Sequence, residues 1–122
     1  MINKELLRLA AMAAGLPLSA EWDSSTDGIL IGQGAGDLKP WNPLADDGAA
    51  LRLAVDVGLF IEPFTDGVFA EEKMGMVTVR AFLNDGLESV DIDEPIEAGD
   101  PYAATRRAIV RAAAEIGKNR SD

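Results

Sequence analysis

Residues 74–83 set two alternating faces: Met76, Thr78, Arg80 and Phe82 on one, and Val77, Val79, Ala81 and Leu83 on the other. A period of two over that length is the signature of an extended strand with one face covered. The run ends at Asn84, Asp85 and Gly86, residue types that tolerate the left-handed backbone of a tight turn. The spacing therefore predicts a hairpin whose second strand occupies 88–92. A strand pair with one apolar face needs another layer to cover it.

Three stretches offer that cover. Residues 2–14 place Ile2, Leu6, Leu9, Ala10 and Ala13 on one helical stripe, and Gly15 and Pro17 end it. Asp46 and Asp47 open a second helix over 46–57, where acids complement the helix dipole. Its inward residues are expected to be Leu51, Ala54 and Val55, with Gly58 closing it. Asp100 and Pro101 start a third, with Ile109, Val110, Ala113 and Ile116 inward and Gly117 as its stop. Short strands are expected at 29–31, 59–61 and 67–70, a loop at 23–28, and turn chemistry from Lys39 to Pro43. The order predicts a single α+β domain over 1–122, an antiparallel sheet with helices packed on it as a helix–sheet–helix sandwich.

Composition narrows the chemistry. The chain has no cysteine and no histidine, so it lacks a thiol nucleophile, a disulfide framework and the commonest general base. Zinc is thereby excluded, whereas a carboxylate site for Mg²⁺ or Ca²⁺ stays open, with Asp46 and Asp47 as its candidates. Their place at a helix start explains those two acids without a function. The N-terminal stretch reads as a helix and not as a signal peptide, and no apolar run is long enough to span a bilayer. A cytoplasmic setting is the expectation. A net charge of −10 disfavours nucleic-acid polymers and acidic membranes as partners.

The charge is unevenly spread. Residues 1–105 hold nineteen acids and six bases, a formal −13, whereas 106–122 hold two acids and five bases, a formal +3. Arg107 and Arg111 stand one turn apart on one face of the last helix, and Arg106 projects away to pair with an acid elsewhere. Two such guanidinium groups can grip a phosphate through forked hydrogen bonds, or simply form a solvated basic face. Phe82 offers a stacking plane beside them. Trp41 is either a lid on the core or, with Trp22, a stacking surface for a base. The glycine-rich run Gly32 to Gly36 follows a strand but leads to Lys39 and Pro40 without a helix, so it reads as a loop and not a phosphate cradle.

Two stretches carry a resemblance. Trp41-Asn-Pro-Leu-Ala-Asp-Asp-Gly-Ala-Ala-Leu-Arg-Leu-Ala-Val55 and Tyr102-Ala-Ala-Thr-Arg-Arg-Ala-Ile-Val-Arg-Ala-Ala113 look like the small bacteriophage proteins described as carrying a phage ABA sandwich domain. Small phage proteins of this kind also resemble the Thoeris anti-defence sponges. Those sequester cyclic ADP-ribose isomers made by TIR-domain enzymes, some also hold cyclic oligonucleotides, and they assemble as dimers or larger homo-oligomers.

The resemblance implies a cytoplasmic, cofactor-free protein of the infected host that binds a nucleotide-derived messenger without catalysis. Phe82 would face adenine and Arg107 and Arg111 the phosphates, with Arg52 and Asn84 as further ligand contacts. A rival reading is an acidic interaction module, since residues 85–100 hold seven acids and no base. A carboxylate–metal hydrolase on Asp46 and Asp47 is the third.

Overall fold

The alternating stretch and its turn form the expected hairpin. In the computed structural model, which describes residues 3–16, 18–23, 28–32, 39–62, 76–97 and 99–121, the elements follow in this order. Helix α1 spans Asn3–Ala14, β1 Leu18–Asp23, β2 Gly28–Ile31, β3 Lys39–Trp41 and α2 Asp47–Val57. Then come β4 Phe60–Glu62, β5 Met76–Leu83, a single 3₁₀ turn Asn84–Gly86, β6 Glu88–Pro95 and α3 Pro101–Ser121. This is an α+β fold, as the sequence predicts. The strands divide between two antiparallel sheets, β1-β2-β3 and β4-β5-β6, instead of forming one. The strand expected at 67–70, the glycine-rich 33–38 and the start of the alternating stretch at 74–75 lie outside the described residues.

The hairpin register pairs Leu83 with Glu88 and Met76 with Pro95, so β6 continues three residues past the expected Ile92. Asn84 and Asp85 take positive φ of 51° and 58°, and Gly86 follows at 89°. This is the left-handed backbone for which asparagine, aspartate and glycine are the least strained choices. Val77, Val79 and Ala81 are buried, and the opposite register stays open. The helices cover that buried face, α3 lying on both β5 and β6.

Helix α2 begins and ends where its caps dictate. The Asp46 carboxylate accepts the backbone N–H of Ala49 at 2.8 Å, and Gly58 closes the helix at φ 71°. Of its expected inward residues only Ala54 is inward. Ala50, Leu53 and Ala54 are buried, whereas Leu51 is 61 % and Val55 72 % exposed. The stripe that wins is spaced 50, 53, 54, 57, and its two alanines let the helix lie close to its neighbours. Lys39–Trp41, expected as a turn, pairs with β2 as an edge strand, a place where Pro40 needs no ladder hydrogen bond. β1 was not anticipated, although Leu18, Ala20 and Trp22 alternate with Ser19, Glu21 and Asp23 as a strand requires; its pairing with β2 defines it.

The most extensive contact between elements is α1 on α3. Both helices present small side chains: Ala10, Ala11 and Ala13 from one, Ala104, Ala108, Ala112 and Ala113 from the other, all buried. The expected stop at Gly117 does not occur, and α3 continues to Ser121. Gly117 instead sits against the backbone of α1. A Cβ added there would collide with the carbonyl oxygen of Leu9 and lie 2.7 Å from its carbonyl carbon. Glycine is present for close approach, not for termination.

That contact sets two effects of Gly117→Ala against each other. Helix propensity alone favours alanine by about 1 kcal/mol, whereas overpacking a fixed backbone contact costs about 1–3 kcal/mol. The helices are locked by the surrounding alanines, so the collision wins. Gly117→Ala is expected to lower the urea midpoint, while Gly48→Ala, where a Cβ meets nothing closer than 3.6 Å, leaves it unchanged or raises it.

Candidate functional site

Glu94 organises the basic helix. It occupies an inward position of β6, in phase with Val90 and Ile92, and is 8 % exposed. A carboxylate there requires partners, because burying an unpaired charge is costly. Arg107 supplies one, its Nε donating to Glu94 Oε1 at 3.1 Å, and Arg111 supplies the other through Nη1 to Oε2. Arg107 also donates from Nη2 to the Pro95 carbonyl at 3.0 Å. Two guanidinium groups thus converge on one carboxylate and leave the cluster with a formal +1.

The groove beside this cluster, about 430 Å³, is lined by Arg111, Lys118, Glu115, Ala114, Leu6 and Glu94. Arg111 keeps 46 % of its side chain exposed there, and Lys118 stands 3.7 Å from Glu115. Arg106 points elsewhere, as expected, donating to the Leu44 carbonyl at 2.8 Å and to Asp47 at 2.6 Å. It fastens α3 to the start of α2. Asp46 is engaged as a cap and Asp47 with Arg106, so each acid of that pair has a structural partner. Among the described residues no group of three acids is placed to hold a metal ion.

The other expected contacts lie apart from this cluster. Phe82 belongs to the outward register of β5, so the sheet itself separates it from Arg107 and Arg111. Its nearest aromatic neighbour is Phe60, edge to face at 5.6 Å. Asn84 sits at the hairpin tip and accepts a hydrogen bond from the Asn119 amide at 3.1 Å. Phe82 and Asn84 share a recess of about 350 Å³ with Asp85 and Ile116. Arg52 lines a third cleft, about 420 Å³, with Leu16, Ile31, Trp41, Asp46 and Asp56. Trp41 is partly buried and packed on the core, as its role as a lid requires. The five expected ligand contacts therefore fall in three places: Arg107 with Arg111, Phe82 with Asn84, and Arg52 apart from both.

Glu94 was the residue missed. The signal was present: an acid at the inward phase of a strand, in a chain whose last helix carries two arginines one turn apart. Compared with family models, curated proteins and solved structures, the chain matches none. No described helix is long and apolar enough to cross a membrane.

On the outward face, Arg80 pairs with Asp91 at 2.8 and 3.3 Å. The hydrogen bond from Arg80 holds the Asp91 carboxyl below its ordinary value of 3.8; desolvation opposes the shift and the charge of Arg80 adds to it. A native pKa below the unfolded one stabilises the fold above the ordinary carboxylate range. That contribution is lost as pH falls through the lower native value.

The cluster and the pair make separate predictions. Replacing both Arg107 and Arg111 by alanine strands Glu94 and is expected to cost about 1–3 kcal/mol in urea unfolding. Adding Glu94→Leu to that double variant should restore most of the loss. In an NMR titration the Asp91 carboxyl should show a midpoint below 3.8, and Arg80→Gln should return it toward that value.

Proposed function

We propose that this protein binds a nucleotide-derived signalling molecule, a cyclic ADP-ribose isomer or a cyclic oligonucleotide, and withholds it without cleaving it. One observation carries the reading: Arg111, which meets Arg107 at the Glu94 carboxylate, lines a groove together with Lys118. The two guanidinium groups are held in place by Glu94, and Arg111, 46 % exposed, presents its remaining donors beside the groove. Prearranged donors of this kind lower the ordering cost of binding. Glu94 and Glu115 are the acids that line the groove; acids farther off weigh little, because exposed charges are screened beyond about 8 Å at physiological salt.

A chain without histidine or cysteine is suited to holding a ligand, since sequestration needs affinity and no proton transfer. The likeness of residues 41–55 and 102–113 to small phage proteins supports a role in countering host defence. It also supports a homo-oligomer working in the cytoplasm of the infected cell. Phe82 does not join the Arg107–Arg111 site within one protomer, so base recognition there falls to the groove that Leu6 and Ala114 line.

Calorimetric titration with cyclic ADP-ribose isomers and cyclic oligonucleotides tests the proposal, followed by heat release and chromatography of the bound fraction. The expected result is binding with intact ligand recovered. Arg111→Ala should weaken it about tenfold or more, the loss of one charged hydrogen bond. Glu94→Gln should tighten it, because the carboxylate competes with the ligand for the same donors. No heat with any of these nucleotides, or cleaved products in the released fraction, would overturn the reading.

A further inference from the structure

The outward face of the second sheet carries chemistry that the Arg107–Arg111 groove leaves unused. Phe60 is 61 % and Phe82 39 % exposed, although their rings already meet edge to face. Both belong to the outward register, together with Glu62, Thr78, Arg80, Asp91 and Asp93. An aromatic pair held on an open sheet face is a natural anchor point, since interfaces concentrate their binding strength on a few such residues.

The charge on this face selects the occupant. Among the described residues of this face the carboxylates Glu62, Asp91 and Asp93 stand against one guanidinium, Arg80, a formal −2. Arg80 is committed to Asp91. Asp93 accepts the Thr78 hydroxyl at 2.6 Å, which orients its carboxylate without neutralising it. A second copy laid on this face would set −2 against −2, and like charges across a sheet repel. An anionic ligand meets the same repulsion. A cationic, partly apolar partner gains on both counts.

We infer that this face docks a basic amphipathic protein segment. An apolar or aromatic side chain of the segment seats against Phe60 and Phe82, and its lysines or arginines reach Asp93 and Glu62. Opposite potentials at the rim speed encounter and fix register, while the aromatic centre supplies most of the affinity. The surface is independent of the nucleotide site, because the two lie on opposite faces of the same sheet.

The test uses the full chain, isotope-labelled, titrated with an octapeptide of alternating lysine and phenylalanine and followed by amide chemical shifts. A glutamate–phenylalanine octapeptide serves as the control. Shifts are expected at residues 60–62, 78–82 and 91–93 with the lysine peptide alone. Phe60→Ser and Asp93→Asn should each weaken binding by about tenfold, the effect of removing one anchor or one complementary charge. Leu51→Ser, an exposed apolar residue on α2, should leave it unchanged. The inference fails if the glutamate peptide binds equally well, if the shifts fall elsewhere, or if the lysine peptide produces none.

Discussion

The backbone contact between α1 and α3 at Gly117 is the constraint on which the other layers rest. Alanines on both helices and one glycine bring the two backbones together, and little side-chain volume separates them. Helices packed this closely have few alternative arrangements, because any larger side chain at the contact displaces a backbone. With α1 fixed against it, α3 is held over β5 and β6 in one orientation. That orientation decides which face of α3 looks at Glu94 and which at Leu44 and Asp47.

Charge in this molecule is handled by local pairing. A chain with ten more acids than bases spends Arg8 on Glu5, Arg80 on Asp91, Arg106 on Asp47, and two arginines on Glu94. Exposed pairs of this kind contribute little to stability individually. Glu94 differs because it is buried, and a buried carboxylate shared by two arginines constrains the geometry more than it stabilises the fold. The +3 of the last seventeen residues is therefore not a free basic face. It is largely answered by acids that arrive from β6 and α2.

Elements defined by local chemistry were legible in the sequence. The alternation of β5, the Asn84–Gly86 turn, the Asp46 cap with its Gly58 stop, and the Asp100 cap of α3 were all readable from neighbouring residues. Features set by packing at long range were not. The true inward stripe of α2 depends on where small residues meet α3. Gly117 looks like a terminator unless one knows that Leu9 lies across it. For the candidate site, the arginines were readable as a pair, but their shared carboxylate and the sheet between them and Phe82 come from tertiary register alone.

The alanine contact joins helices roughly a hundred residues apart in the chain. Forming it closes a loop of most of the sequence, an entropic cost that must be met before the contact returns anything. A ribosome adds about 5–20 residues per second, so the alanine face of α1 waits on the order of 5–20 s for α3 to emerge. During synthesis the earlier helix of this pair therefore exposes what the finished protein covers most closely. Chaperones and proteases that sample nascent chains would meet α1 before α3 does.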